Sequence, residues 1–227
     1  MSTRVKRGRF VGRAAELAAL ERQYHREGPV LLPVYGRRRV GKSELLVHFC
    51  AGKRAIYFAA TQGTLALQLR AFLRCAGEAL RNTLLAEARA DDWDEAFELL
   101  GKVLPRGRWV LVLDEFQWLC ESAPELPSIL QKRWDHHWQH QKGPFVVLCG
   151  SYLGFMEREV LGHRSPLFGR RTGQIQLEPF GFVEAGDFHP RCALEDKARA
   201  WFICGGVPAY LKTFSADRSV EQNIIAG

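Results

Sequence analysis

Several things are missing from this chain of 227 residues. No apolar run approaches the length of a membrane span, so no spanning segment is expected. The first residues, Met1-Ser-Thr-Arg-Val-Lys-Arg7, carry charge with no apolar core after them, so they do not read as a signal peptide. Cys50, Cys75, Cys120, Cys149, Cys192 and Cys204 stand far apart and form no C-x-x-C. Most lie in apolar stretches, as expected of reduced, buried thiols in a cytoplasmic protein. Neither an internal repeat nor a low-complexity segment is present, which excludes solenoid architectures.

What is there is globular. The apolar fraction is 47%, spread throughout the chain, and the length suits one α/β domain plus part of another. Net charge is +7, with five cations in the first thirteen residues: Arg4, Lys6, Arg7, Arg9 and Arg13. Such a surface suits an anionic partner, DNA included, or is simply a solvated arm.

One stretch organises the rest. The apolar run Val30–Tyr35 leads into Gly36-Arg37-Arg38-Arg39-Val40-Gly41-Lys42-Ser43-Glu44, and a helical pattern continues to Cys50. Strand, glycine loop and helix with the spacing G-x-x-x-x-G-K-S are what a phosphate-binding P-loop requires. Backbone N–H groups and the helix N-terminus would face the phosphates. Lys42 would reach the β- and γ-phosphates, and Ser43 would offer its hydroxyl to Mg²⁺.

Further strands are expected at Arg54–Ala60, Arg108–Leu113, Phe145–Cys149 and Gln174–Leu177, with helices between them. Asp92 with Glu95 three residues on marks one helix start. Another helix is expected from Glu125 to about Gln141, and one from Tyr152 to Val160. Short helices are expected after Pro179: Phe182–Asp187, Ala193–Cys204 and Pro208–Phe214. Strands alternating with helices predict an open, mostly parallel sheet. The expected division is an ATPase core over residues 1–178 and the start of a small helical lid over 179–227.

Asp114 ends its strand at the edge where ligands of open α/β sheets gather. It can hold Mg²⁺ through Ser43 and water, and Glu115 is the candidate general base for an attacking water. Ser151, just past the strand ending in Cys149, reads by itself as a helix cap; the Asp-Glu pair and the strand count resemble the additional-strand, catalytic-glutamate class of P-loop ATPases, which implies Ser151 beside the γ-phosphate. Arg170 and Arg171 are candidates to stabilise charge on a transferred phosphoryl group, or are a solvated loop. His136 and His140, four apart on a predicted helix, lack the glutamate and third ligand of a zinc helix. Trp134 and Trp138 read as packing residues, as do Cys120 and Cys149.

Six stretches occur in order: Phe10-Val-Gly-Arg13 with Glu16, the P-loop, Leu113-Asp-Glu-Phe-Gln117, Cys149-Gly-Ser151, Leu167-Phe-Gly-Arg170 and Gly205-Gly-Val-Pro208. Together they resemble the archaeal-type ATPase family, in the signal-transduction (STAND) branch of the AAA+-related ATPases. The resemblance spans nearly the whole chain. It implies a P-loop sheet of order 5-1-4-3-2, and ATP or ADP with Mg²⁺ as the bound species. It also implies Phe10, Val11 and Gly12 against the adenine, Pro208 touching the nucleotide from the lid, and Arg170 as the γ-phosphate arginine. Family members usually continue into a winged-helix segment. This chain stops at Gly227 within a helical pattern begun at Val220, so a fragment without its output domain is expected.

The leading expectation is a Mg²⁺-dependent ATPase acting as a slow nucleotide switch, free of membrane and able to form homo-oligomers. An ATP-binding scaffold without significant turnover is the alternative, and a P-loop kinase a further one.

Overall fold

The structure is a computed structural model, and it describes residues 10–104, 106–215 and 217–226. Arg4, Lys6, Arg7 and Arg9 of the basic arm lie outside the described residues.

Five strands form one sheet: β1 (Val30–Gly36), β2 (Ala55–Ala59), β3 (Trp109–Asp114), β4 (Pro144–Gly150) and β5 (Ile175–Leu177). Their order is β2-β3-β4-β1-β5, and every pairing is parallel. This is the expected order read from the other edge, with a fully parallel sheet where a mostly parallel one was expected.

The three central strands, β1, β3 and β4, are buried along their whole length. The reason is that helices cover both faces, so polar residues have no side to face. Alternate side chains divide cleanly between two cores. Leu31, Trp109, Leu111, Leu113, Val146 and Leu148 point to one face. Val30, Leu32, Val34, Val110, Val112, Phe145 and Val147 point to the other. That is the period-two pleat of a strand.

Helices α1 (Ala14–His25) and α2 (Lys42–Cys50) pack on the second face. On the first face lie α3 (Leu65–Leu80), α4 (Thr83–Glu87), α5 (Trp93–Val103), α6 (Phe116–Ser122) and α7 (Leu126–His136). Asp92 caps α5 by accepting from the Glu95 amide at 2.8 Å, and Glu95 returns a contact to the Asp91 amide at 2.9 Å. Both α4 and α6 lie in stretches the sequence pattern left without a helix.

Helix α7 ends sooner than its pattern suggested. His137 leaves the helical region (φ −130°, ψ −61°), and a separate 3-10 turn covers Trp138–His140. The break lets Trp138 turn inward against Phe97 and Trp109, with ring centroids 5.7 and 5.9 Å away. His136 and His140 therefore share no helix face. The segment after β4 also differs: one short turn, α8 (Leu153–Phe155), runs into a π-helical stretch over Met156–Leu161.

After β5 come α9 (Phe182–Gly186), α10 (Leu194–Cys204), α11 (Pro208–Leu211) and α12 (Val220–Ala226). Phe180, Ala185, Cys204 and Leu211 form a small core of their own there.

Candidate functional site

β1 delivers the chain to the glycine loop. At Gly36 (φ 154°) a Cβ would lie 2.2 Å from the Leu177 carbonyl oxygen, so β1 and β5 can run side by side only with glycine there. Arg39 (φ 67°) and Gly41 (φ 93°) then turn the loop through the left-handed region into α2. Lys42, the first residue of α2, is buried. Its ammonium folds back on the loop, donating to the Gly36 and Arg37 carbonyls, both at 2.8 Å. Burial lowers its pKa below the usual lysine value, against the opposing pull of Cys149, Glu115 and Asp114.

Next to Lys42, Ser43 donates to Asp114 Oδ2 at 2.7 Å. The Tyr57 hydroxyl, from β2, donates to the same oxygen at 2.5 Å, and the Glu115 amide donates to Oδ1 at 2.9 Å. Asp114 is thus fixed by three donors at the carboxyl end of β3. The nearby Cys149 thiol is pushed well above its ordinary pKa, by burial first and then by Asp114.

Glu115 sits in the left-handed region (φ 53°, ψ 47°) as α6 begins. That turn aims its side chain at a cavity of about 500 Å³, whose wall also carries Arg38, Arg39, Lys42, Ser43 and Pro208. Ser151 donates to Glu115 Oε2 at 2.7 Å, and Gln117 donates to the same oxygen. Ser151 is buried behind Glu115 and is not part of the cavity wall.

Ser43 on the cavity wall and Asp114, hydrogen-bonded to it, fit a hard divalent cation. Ser43 and Asp114 offer oxygen donors side by side, which suits Mg²⁺ completing its shell with phosphate and water. Among the described residues no cluster of three or more His, Cys, Asp or Glu side chains could form a metal cage, and Mg²⁺ bound with phosphates needs none.

The N-terminal box reaches the same region by a different route. Phe10 stacks on His48 of α2, with centroids 4.2 Å apart and planes 6° from parallel. Gly12 (φ 69°) lies so close to Phe180 that a Cβ would meet its ring at 2.7 Å. Arg13 follows the basic arm in sequence, but it is buried at 4% exposure. It donates to Glu16 at 2.6 Å, to the Val40 carbonyl at 2.9 Å and to the Glu178 carbonyl at 2.5 Å. Its guanidinium also lies 4.0 Å over the Phe180 ring. Arg13 therefore ties the box, the P-loop and the exit of β5 together, and leaves the basic surface to other residues. Phe10 and Val11 share with Phe180 and Pro208 a cavity of only about 10 Å³.

The C-terminal helices already touch the loop. Pro208 Cγ is 3.8 Å from where a Gly41 Cβ would be, Lys212 pairs with Glu44 at 2.5 Å, and Arg39 lies 5.4 Å over the Tyr210 ring. Consecutive left-handed glycines make this possible, Gly205 (φ 58°) and Gly206 (φ 68°). The Gly206 carbonyl accepts from the Phe180 amide at 2.8 Å.

Arg170 is engaged elsewhere. Its guanidinium makes a two-pronged contact with Asp135 of α7, at 2.8 and 2.7 Å, and a further donor meets the Pro166 carbonyl at 2.9 Å. The Asp135 carboxylate raises the Arg170 pKa and is itself held below the usual carboxylate range. Arg171 donates to Gln174 at 2.9 Å. Neither arginine is part of the P-loop cavity wall. Sequence reasoning missed Tyr57, Phe180, Lys212 and the role of Gln117. Only Gln117 had a signal, its place two residues after Glu115.

A family model described as an ATPase domain predominantly from Archaea matches residues 10–214. An uncharacterised protein of Methanocaldococcus jannaschii is 30% identical over 203 residues, which are 89% of this chain and 43% of that protein. The chain thus spans less than half the length of this curated relative. Among solved structures, a Walker-type ATPase of Pyrococcus abyssi aligns over 96% of this chain and 72% of its own, at 20% identity and a TM-score of 0.69. The ORC2 protein of Aeropyrum pernix, solved as ADPNP–ADP complexes, aligns over 95% of this chain and 68% of its own, at 17% identity and a TM-score of 0.57. At these identities the structures show a shared P-loop ATPase fold. The family match runs from Phe10 through the P-loop to the C-terminal helices that touch it, and the chain belongs to this family of ATPase domains found predominantly in Archaea.

Proposed function

We propose that the chain binds ATP at the P-loop, hydrolyses it slowly with Mg²⁺, and acts as a nucleotide switch for an output region or partner. The observation that carries this is the shared wall: Lys42, Ser43 and Glu115 face one cavity, with Asp114 hydrogen-bonded directly to Ser43. On this reading residues 1–178 are the core and 179–227 the lid.

The residues divide the work by their chemistry. Lys42 exchanges the Gly36 and Arg37 carbonyls for the β- and γ-phosphates, since its charge gains more from phosphate than from peptide oxygen. Ser43 and Asp114 would hold Mg²⁺, which when bound draws charge off the phosphates. Glu115 accepts a proton from the attacking water. Arg170 can reach a γ-phosphate only after leaving Asp135, so the phosphate and Asp135 compete for one guanidinium. The Lys212–Glu44 and Pro208–Gly41 contacts put the lid where nucleotide would alter it. Because the base-side cavity is small, admitting a nucleobase beside Phe10 and Val11 requires the lid helices to shift. Differential lid contacts with ATP and ADP are what a switch requires.

An ATP-binding scaffold is the second reading. It is favoured by one observation: Ser151 and Gln117 occupy Oε2 of Glu115, which leaves only Oε1 to act as a base. Phosphate release and nucleotide affinity separate the two. Lys42→Ala is expected to lose most affinity for nucleotide, and Glu115→Gln to bind ATP while losing turnover. Turnover unchanged in Glu115→Gln would remove Glu115 as the base.

A further inference from the structure

Gln117 is buried, at 6% exposure, in a place where an apolar side chain would pack. Its neighbours on α6, Phe116, Leu119 and Cys120, are core residues. One end of its amide is used: Nε2 donates to Glu115 Oε2 and stands 3.4 Å from Ser151 Oγ. The other end, Oε1, is buried with no hydrogen-bond partner. A buried acceptor left unpaired opposes stability, because the water it has lost is not replaced. The amide is thus poorly placed for stability alone and well placed to hold a carboxylate.

Ser151 points the same way. Its hydroxyl has one hydrogen, and here that hydrogen goes to Glu115 Oε2 at 2.7 Å. With Ser151 behind the glutamate and off the cavity wall, its path to a bound phosphate runs through Glu115. Two buried donors therefore converge on one oxygen of a carboxylate whose backbone is itself held in the left-handed region. Three constraints fix one side chain, and they come from the start of α6, its second residue and the tip of β4.

We propose that Gln117 and Ser151 are positioning residues that act on hydrolysis only through Glu115, neither of them touching the nucleotide. This rests on Glu115 being the base, and it assigns Ser151 to the glutamate in place of the γ-phosphate. With both donors on Oε2, Oε1 is left as the oxygen free to take the water's proton. Losing either donor lets the carboxylate rotate away from the reacting water, and a misplacement of about 1 Å is enough to lower a rate by about a hundredfold.

The test is steady-state hydrolysis together with titrations of ADP and a non-hydrolysable ATP analogue, on Gln117→Met, Ser151→Ala and the double variant. Met matches the shape of Gln and removes the donor. The expected result is a kcat lower by about ten- to a hundredfold in each single variant, with KM and both affinities unchanged. The double variant should be far less impaired than the product of the two singles, because both act on the same oxygen. Ser151→Thr, which keeps the hydroxyl, should restore most of kcat. A selective loss of affinity for the ATP analogue in Ser151→Ala would show direct contact with phosphate and overturn the proposal. So would an unchanged kcat in both single variants while Glu115→Gln is inactive. If Glu115→Gln itself turns over normally, the base assignment fails and the proposal falls with it, which is a different and recognisable outcome. A variant that unfolds would be replaced by Gln117→Leu or Ser151→Cys, which also remove or weaken the donor. Full multiplicativity of the two donor-deleting variants would equally overturn the idea.

Discussion

Lys42 shows how one residue can oppose stability and serve binding at once. Its charge is taken from water into the loop, where the Gly36 and Arg37 carbonyls receive it, and burial lowers its pKa from the ordinary lysine value of 10.5. In the window between that lowered value and 10.5 the unfolded chain holds more protons than the native one. Stability from this group therefore rises with pH there. Phosphate affinity moves the opposite way, because the neutral amine has no charge to offer. The expected outcome is an ADP affinity that falls by up to about tenfold per pH unit across the window, while Lys42→Ala stays flat. Calorimetric titration at several alkaline pH values checks it. An ADP affinity equally flat in the native protein would remove Lys42 from phosphate binding. Arg13 illustrates the reverse case. Its cationic sequence neighbourhood suggested surface, but three acceptors and an aromatic face draw it inward.

Among the elements, the turn before α11 controls how the C-terminal helices meet the loop. Gly205 and Gly206 both take left-handed backbone, yet they differ in surroundings. A Cβ on Gly206 would lie 2.1 Å from the Phe180 carbonyl oxygen, whereas one on Gly205 would meet nothing within 4 Å. Gly205→Ala should therefore carry only the backbone strain, about 1–2 kcal/mol. Gly206→Ala must also separate the turn from Phe180, breaking the 2.8 Å hydrogen bond there and lifting Pro208 from Gly41. Nucleotide affinity is expected to fall by about tenfold or more in Gly206→Ala, as for the loss of roughly 1.4 kcal/mol, and by much less in Gly205→Ala. Fluorescence titration with a labelled ADP would show this, and equal effects from the two would disconnect the turn from nucleotide binding. The same scale explains where patterns misled. Helix α7 and the segment after β4 follow helical spacing, but burial of Trp138 breaks the first, and a π-helical stretch replaces most of the second.

For the whole molecule, a nucleotide at this cavity would touch both the sheet-borne loop and the C-terminal helices. Binding should then stabilise the fold as one unit. At an ADP concentration a hundred times Kd, the gain is about 2.7 kcal/mol, equivalent to roughly 5–10 °C in Tm for a chain of this size. Thermal unfolding with and without ADP measures it, and Lys42→Ala should abolish it. A native Tm unmoved by saturating ADP would contradict nucleotide binding at the loop. Much of this architecture is local in origin. The run Val30–Tyr35, the glycine loop and the helix after it are neighbours in sequence, so spacing alone specifies strand, turn and helix. The same holds for the continuous apolar run of β3 ending at Asp114 and for the cap at Asp92. Side-chain pairing is a different matter, because it joins segments that only folding brings together. Arg13 finds the Glu178 carbonyl 165 residues away, Arg170 finds Asp135 35 residues back, and Ser151 finds Glu115 36 residues back. A charged or hydroxyl side chain bonds to whichever partner the packed core places within 3 Å of it. The amino-acid sequence by itself therefore determined the P-loop, the strands and the acidic pair at the sheet edge. The tertiary structure alone decided which donors hold Glu115, where Arg170 rests and why Arg13 is buried.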